Sequence, residues 1–314
     1  MLAIALVLPP PSPARSTAQR FEPAPHFVKG ATLRYSIDSR TDSNEHTTTP
    51  IINPEGATQY QQSTSIVVRL DVLEVQPGGP DSPPAIHFRA TFEQARADSQ
   101  ADAYAPAAAA LDDGIDQLEG RSFDLTVAGA DARGVEGLEK IAANREVASR
   151  VLSWVRLLCL PSTVPAAGIV VGQKWSDERA LTDMPLTGLF WRNDSTYLRN
   201  EPCAVSAPKS STGAFALGDC AVLLTRFTIV RHGSDRDDRT PDSYLHNGLR
   251  TSGKWTGSGE SLESISLGSG WLVSSTQTAT QDMDYQIVSA SSGSRIHNVG
   301  RTTTQTQITL LLSP

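Results

Sequence analysis

A mainly β fold (α+β) is predicted: one large curved antiparallel sheet or half-barrel, with one long amphipathic helix packed on it. Three observations predict it. Extended runs that alternate apolar and polar residues recur from Gly30 to Leu312 and are separated by Gly-, Pro- and Asn-bearing turns. A single stretch, Gly137 to Leu160, carries helical spacing instead. The last two runs, Leu272–Val288 and Ile296–Leu312, face each other across Ser289–Ser294 as a hairpin. Arms of about seventeen residues exceed about 50 Å at ~3.3 Å per residue, and strands of that length have to curve or twist.

Met1 to Ala18 reads as an export signal, with Leu2–Leu8 as its apolar core and Ser16-Thr17-Ala18 as the small residues before cleavage. The remainder, 19–314, forms a single β-rich domain. Its first strand starts near Gly30, with Leu33, Tyr35 and Ile37 on one face. Asp38–Gly56 is polar and holds two prolines, which predicts a loop. Ser65–Val75 alternates clearly, Gly78-Gly79 among prolines ends it, and Ile86–Glu93 resumes the sheet. Ala105–Ala110 reads as a loop or short helix, and Arg121–Val127 is extended before a turn at Gly129–Gly134.

In the helical stretch, Leu138, Ile141, Ala148, Val151, Leu152, Val155 and Leu158 make one apolar stripe, and Pro161 ends it. Six charges between Glu139 and Arg156 argue against a membrane span. After Pro165 the order of elements recurs: Gly172–Leu181 follows the pattern of the opening strand and Cys220–Val230 that of Ser65–Val75. Tyr244–Glu260 and Leu262–Leu267 come next, which suggests two pseudo-repeated lobes, about 27–160 and 165–314.

The chemistry implied is mostly negative. A formal charge of −7 and a pI near 5.4 speak against nucleic acid as a partner. Gly248–Lys254 has the spacing of a phosphate loop, but Trp255 stands where Ser or Thr would hold magnesium, and Asn247-Gly248 reads better as a hairpin turn. Asp235, Asp237, Asp238 and Asp242 crowd one loop without the glycine and distal Glu of an EF-hand. The six histidines show no metal-ligand spacing, and no Gly-x-Ser-x-Gly elbow occurs. No catalytic residue, metal or cofactor is therefore expected. Cys203 and Cys220 bracket a loop rich in Pro, Ser, Ala and Gly; a disulfide closes it in an exported chain, and two free thiols are the other state.

The order of strands before Phe123-Asp124-Leu125, the run Val171-Gly172-Gln173-Lys174-Trp175, and Ser266-Leu267 before Gly270-Trp271-Leu272-Val273 resemble a group of uncharacterised exported bacterial β-rich proteins. More distantly, they resemble the LolA-like half-barrels that carry lipoprotein acyl chains. The resemblance covers most of 27–312 and implies a half-barrel fold and a periplasmic or extracellular location; it supplies no catalytic residue. The expected function is non-enzymatic binding of a lipid or acyl chain between sheet and helix, lined by Ile141, Ala148, Val151, Leu152, Val155 and Leu158. A cell-envelope structural or interaction module with a packed core is the alternative. An enzyme would require polar residues from separate strands to converge.

Overall fold

The computed structural model describes residues 20–21, 26–48, 57–78, 84–101, 112–128, 131–159, 164–165, 167–182, 184–204, 218–233 and 240–311. The expected export signal, the Ala105–Ala110 segment and Asp235, Asp237 and Asp238 lie outside them. The described chain is mainly β, one curved, unclosed antiparallel sheet of 11 strands. In chain order these are β1 (Thr32–Thr48), β2 (Ala57–Gln76), β3 (Ala85–Ala101), β4 (Ser122–Ala128), β5 (Asp131–Glu136), β6 (Lys174–Ala180), β7 (Leu189–Pro202), β8 (Asp219–Arg231), β9 (Leu249–Ser266), β10 (Leu272–Ser289) and β11 (Arg295–Leu311).

Every neighbouring pair but one is consecutive in sequence; β1 pairs with β11, so both ends of the chain meet in the middle of the sheet. The edges are β5 and β6, which are consecutive in the chain. Eleven strands spaced ~4.8 Å apart would hold flat edges about 50 Å from each other. The segment between the edges carries α2 (Leu138–Ile141) and α3 (Arg145–Cys159). Within that segment α3, about 22 Å long, packs its apolar residues into the core on one face of the curved sheet. Two further short helices, α1 (112–116) and α4 (Asp242–His246), sit in loops.

The single long helix expected over Gly137–Leu160 is not formed. Ala142 adopts an extended conformation after α2, and the helix restarts when the Asn144 side chain accepts the Val147 N–H at 2.9 Å. That is an N-cap, which satisfies a backbone donor orphaned at a helix start. Val147, Val151, Trp154, Val155 and Leu158 of α3 are buried. They join Tyr35, Ile37, Ile66, Val68, Phe88, Phe92, Leu223, Ile265, Ile308 and Leu310 in one continuous core. The strand face that carries these residues is the inner face.

Strands run further than their apolar alternation. β1 continues through the stretch expected to be a loop, as far as Thr48, because Asp38–Thr48 is laddered between β2 and β11. β2 and β3 are likewise extended at their polar ends, and β7 was not anticipated at all. Asn247-Gly248 does not turn a hairpin; it ends α4, with Gly248 at φ 67°, the left-handed geometry usual just past a helix. The hairpin of β10 and β11 around Ser289–Ser294 is present, with arms of 18 and 17 residues.

Irregular registers fall at Val67/Val68 and Val72/Glu74 in β2, Asp124/Thr126 in β4, Tyr197/Arg199 in β7 and Leu272/Ser274 in β10. All lie toward the strand ends that hold the apolar core. Bulges bend a strand and increase its twist, so curvature is concentrated where α3 nests. The disulfide Cys203–Cys220, with Cα atoms 5.0 Å apart, ties the end of β7 to the start of β8 at this same end of the sheet.

Candidate functional site

Cross-strand register sorts the inner face into rows that run across the sheet. One row reads Tyr197, Leu223, Glu263, Ser275, Ile308, Ile37, Ile66, Ala95 from β7 to β3 by way of β11 and β1. Nearer the bulged end the inner face is apolar and packed under α3. One row farther out the side chains turn polar: Ser195, Thr225, Ser261, Gln277, Thr306, Ser39 and Thr64. The row beyond that reads Asn193, Phe227, Gly259, Ala279, Thr304, Thr41 and Gln62.

The hydroxyls of these rows bond across strands. Ser195 and Thr225 are 2.8 Å apart, Ser39 and Thr306 3.2 Å, and Ser43 and Thr302 2.8 Å. Such pairs satisfy buried polar groups without adding apolar surface. Over the β2 side, Gln62 donates to Asp112 of α1 at 2.7 Å and accepts from the Arg150 guanidinium of α3 at 2.5 Å. The two helices are therefore pinned to the sheet by polar contacts at the margin of the apolar core.

The middle of the outer rows is made of small residues. Gly259, Ala279, Thr304 and Thr41 occupy four adjacent strands, and each stays half-accessible. The Phe227 ring lies across Gly259, where a Cβ would come within 2.5 Å of two ring carbons. Trp191 meets Phe227 edge-on at 5.1 Å; farther out, Trp255 stacks with Tyr285 at 5.6 Å and donates to the Gln281 side chain at 2.9 Å. The Phe227 ring fills the space above Gly259, so the low part of this inner face, the trough, is the half-accessible strip of Ala279, Thr304 and Thr41 over β10, β11 and β1.

Glu263 stands at the trough's inner limit. Leu223 and Ser275 lie opposite it on the flanking strands, with Ser261 and Ile265 two positions away on its own strand. Among the described residues its carboxylate has no hydrogen-bond or ion-pair partner. The side chain is half-buried, with protein atoms packed around the carboxyl. That enclosure penalises the charged form and pushes the carboxyl pKa up to about 7. Burial raises the Tyr285 phenol too, with Tyr244 adding to it.

Of the residues expected to line a ligand, Val151, Val155 and Leu158 are buried core, while Ile141, Ala148 and Leu152 are half-buried and packed against that core. Two further grooves open on the other face of the sheet. One, of about 650 Å³, lies over β11, β1, β2 and β3 and includes Asp42, Asn44, Gln61 and Arg301; a smaller one of about 250 Å³ lies over β6–β8. None of the six expected residues lines either groove.

Glu263 is the functional candidate that sequence reading missed. Its one signal was strand parity: a carboxylate at an inward position between Ser261 and Ile265. Recognising it required knowing that Leu249–Ser266 is one continuous strand. Among the described residues no group of three or more His, Cys, Asp or Glu could hold a metal ion, and no helix is long and apolar enough to cross a membrane. No protein-family model and no curated protein sequence matches the chain.

Proposed function

We propose that the protein is a non-enzymatic, exported binding protein that holds an amphiphile, a lipid or other acyl-chain molecule, in the trough of its curved sheet beside α3. The observation that carries this reading is the inner face itself. A folded chain normally fills such a concavity, yet Gly259, Ala279, Thr304 and Thr41 remain half-accessible at its centre. The half-buried Trp191, Trp255 and Tyr285 supply surface for a hydrocarbon chain, and the hydroxyl rows supply surface for a polar part. The Cys203–Cys220 bridge fits an oxidising compartment such as the periplasm or the extracellular space.

Mass spectrometry of an organic extract of the purified protein tests this reading. A co-purifying long-chain amphiphile is expected, displaced stoichiometrically by a fluorescent long-chain probe. An empty extract together with no probe binding would overturn it.

One observation favours a second reading, a cell-envelope structural or interaction module. Val147, Val151 and Val155 of α3 are no more than 1% exposed, so the apolar end of the molecule is already filled by its own side chains. Under that reading the trough holds only water, and the outer grooves would carry the protein's contacts.

A further inference from the structure

A bare carboxylate inside a concave, partly apolar hollow constrains what can lie against it. Glu263 projects from β9 into the trough where the apolar rows give way to the hydroxyl rows. Its flanking inward neighbours are Ala221, Leu223 and Thr225 on β8, and Leu272, Ser275 and Gln277 on β10; none of them titrates. On β8 the next charged residue of the inward-facing series is Arg231, eight residues farther along the strand or about 26 Å. Tyr197, one strand beyond Leu223, donates its hydroxyl to Asn200 and turns no charge toward Glu263. From α3, Arg150 is engaged by Gln62 on the β2 side, and Trp154, Val155 and Leu158 are uncharged. Among the described side chains, none neutralises the carboxylate.

We propose that Glu263 selects the head group of the trough's ligand, favouring an amphiphile with a cationic amine head and discriminating against one with a carboxylate head. The inference rests on the amphiphile-binding reading above. An alkylammonium head at the edge of the hydroxyl rows would give Glu263 the partner that the fold does not, while its chain lies over the half-accessible Ala279 and Thr304. Ser261 and Ser275 flank the carboxylate and can accept the remaining ammonium N–H groups. An anionic head there would set two negative charges side by side in a poorly hydrated hollow. The ionisation of Glu263 near neutrality adds a pH signature, because an alkylammonium keeps its charge across the range in which the carboxylate gains and loses its own.

The test compares fluorescent probes with one alkyl chain and three heads (primary amine, alcohol and carboxylate) on wild type, Glu263→Gln and Glu263→Asp. At pH 8 wild type is expected to bind the amine at least about tenfold more tightly than the carboxylate. The preference should weaken as pH falls below about 7, by up to about tenfold per unit. Glu263→Gln should bring amine and carboxylate to similar affinities. Glu263→Asp should retain part of the preference, which separates a lost charge from a lost fold. Equal binding of all three heads to wild type, or a preference untouched by Glu263→Gln, would overturn head-group selection and leave the binding function standing. Binding of none of the probes would overturn both.

Discussion

The two ends of the inner face are built from the same strands and the same register, yet they behave as different materials. At the bulged end, inward positions are Tyr35, Ile37, Val68, Phe88, Phe92 and Leu310, all nearly inaccessible, and α3 adds Val151 and Val155. A few residues farther along the strands, inward positions are Ser39, Thr41, Thr302, Thr304 and Gln277, half-accessible and linked by hydroxyl pairs. Burial of apolar area contributes about 25 cal/mol per Å², whereas an exposed hydroxyl pair contributes a fraction of a kcal/mol. The first end therefore holds the fold together, and the second contributes little to it. Glu263 sits on the line between them.

Breaking the comparison is most direct at the packed end. Phe88→Ala should cost about 3–5 kcal/mol in chemical denaturation, through lost transfer energy and the cavity left behind. Opening the Cys203–Cys220 bridge with paired Ser substitutions should cost about 2–4 kcal/mol, given a sequence separation of 17 residues between the cysteines. At the boundary, Glu263 provides a pH-dependent handle. Its carboxyl ionises near the ordinary value of 4.5 when unfolded and near 7 when folded, so the native state binds more protons between those values and stability falls as pH rises through them. Relative to wild type, Glu263→Gln should thus gain about 2–3 kcal/mol on going from pH 4 to pH 8, measured by denaturation at both pH values.

Sharpening the comparison belongs to the trough. Gly259→Ala places a Cβ 2.2 Å from the Thr278 carbonyl oxygen and 2.5 Å from the Phe227 ring, and should cost about 1–3 kcal/mol through overpacking that Phe227→Leu does not relieve, since the backbone clash stays. Thr304→Ala, on the open floor, should cost no more than about 0.5 kcal/mol and leave the unfolding transition where it was.

The same division explains what the sequence revealed. Apolar alternation marks burial, so the packed parts of the sheet were legible: the strand starting near Gly30, Ser65–Val75, Ile86–Glu93, Phe123–Val127 and the final hairpin. The polar continuations of β1, β2 and β3 read as loops because Thr, Ser, Gln and Asn on both faces give no period to detect. Those residues are extended through their cross-strand partners, a relation that no local pattern contains. The helix failed for a local reason. The stripe over Gly137–Leu160 held its spacing, but Asn144 is a stronger cap than an interior helix residue and restarts the helix in mid-stripe. The disulfide was legible only as one of two states, since two cysteines bracketing a Pro/Gly/Ser loop can stand as free thiols as well; the structure has them bridged. Glu263 was not, since its significance lies in what β8 and β10 fail to place beside it.

The proposed binding surface is the half-accessible floor between α3 and the aromatic side chains. Backbone amide chemical-shift mapping during titration with a long-chain alkylamine tests it most directly. Saturable shifts are expected centred on Glu263, Ala279 and Thr304, with Asp42, Gln61 and Arg301 on the opposite face unmoved. Shifts confined to that opposite face, or none along the trough at saturating probe, would contradict it.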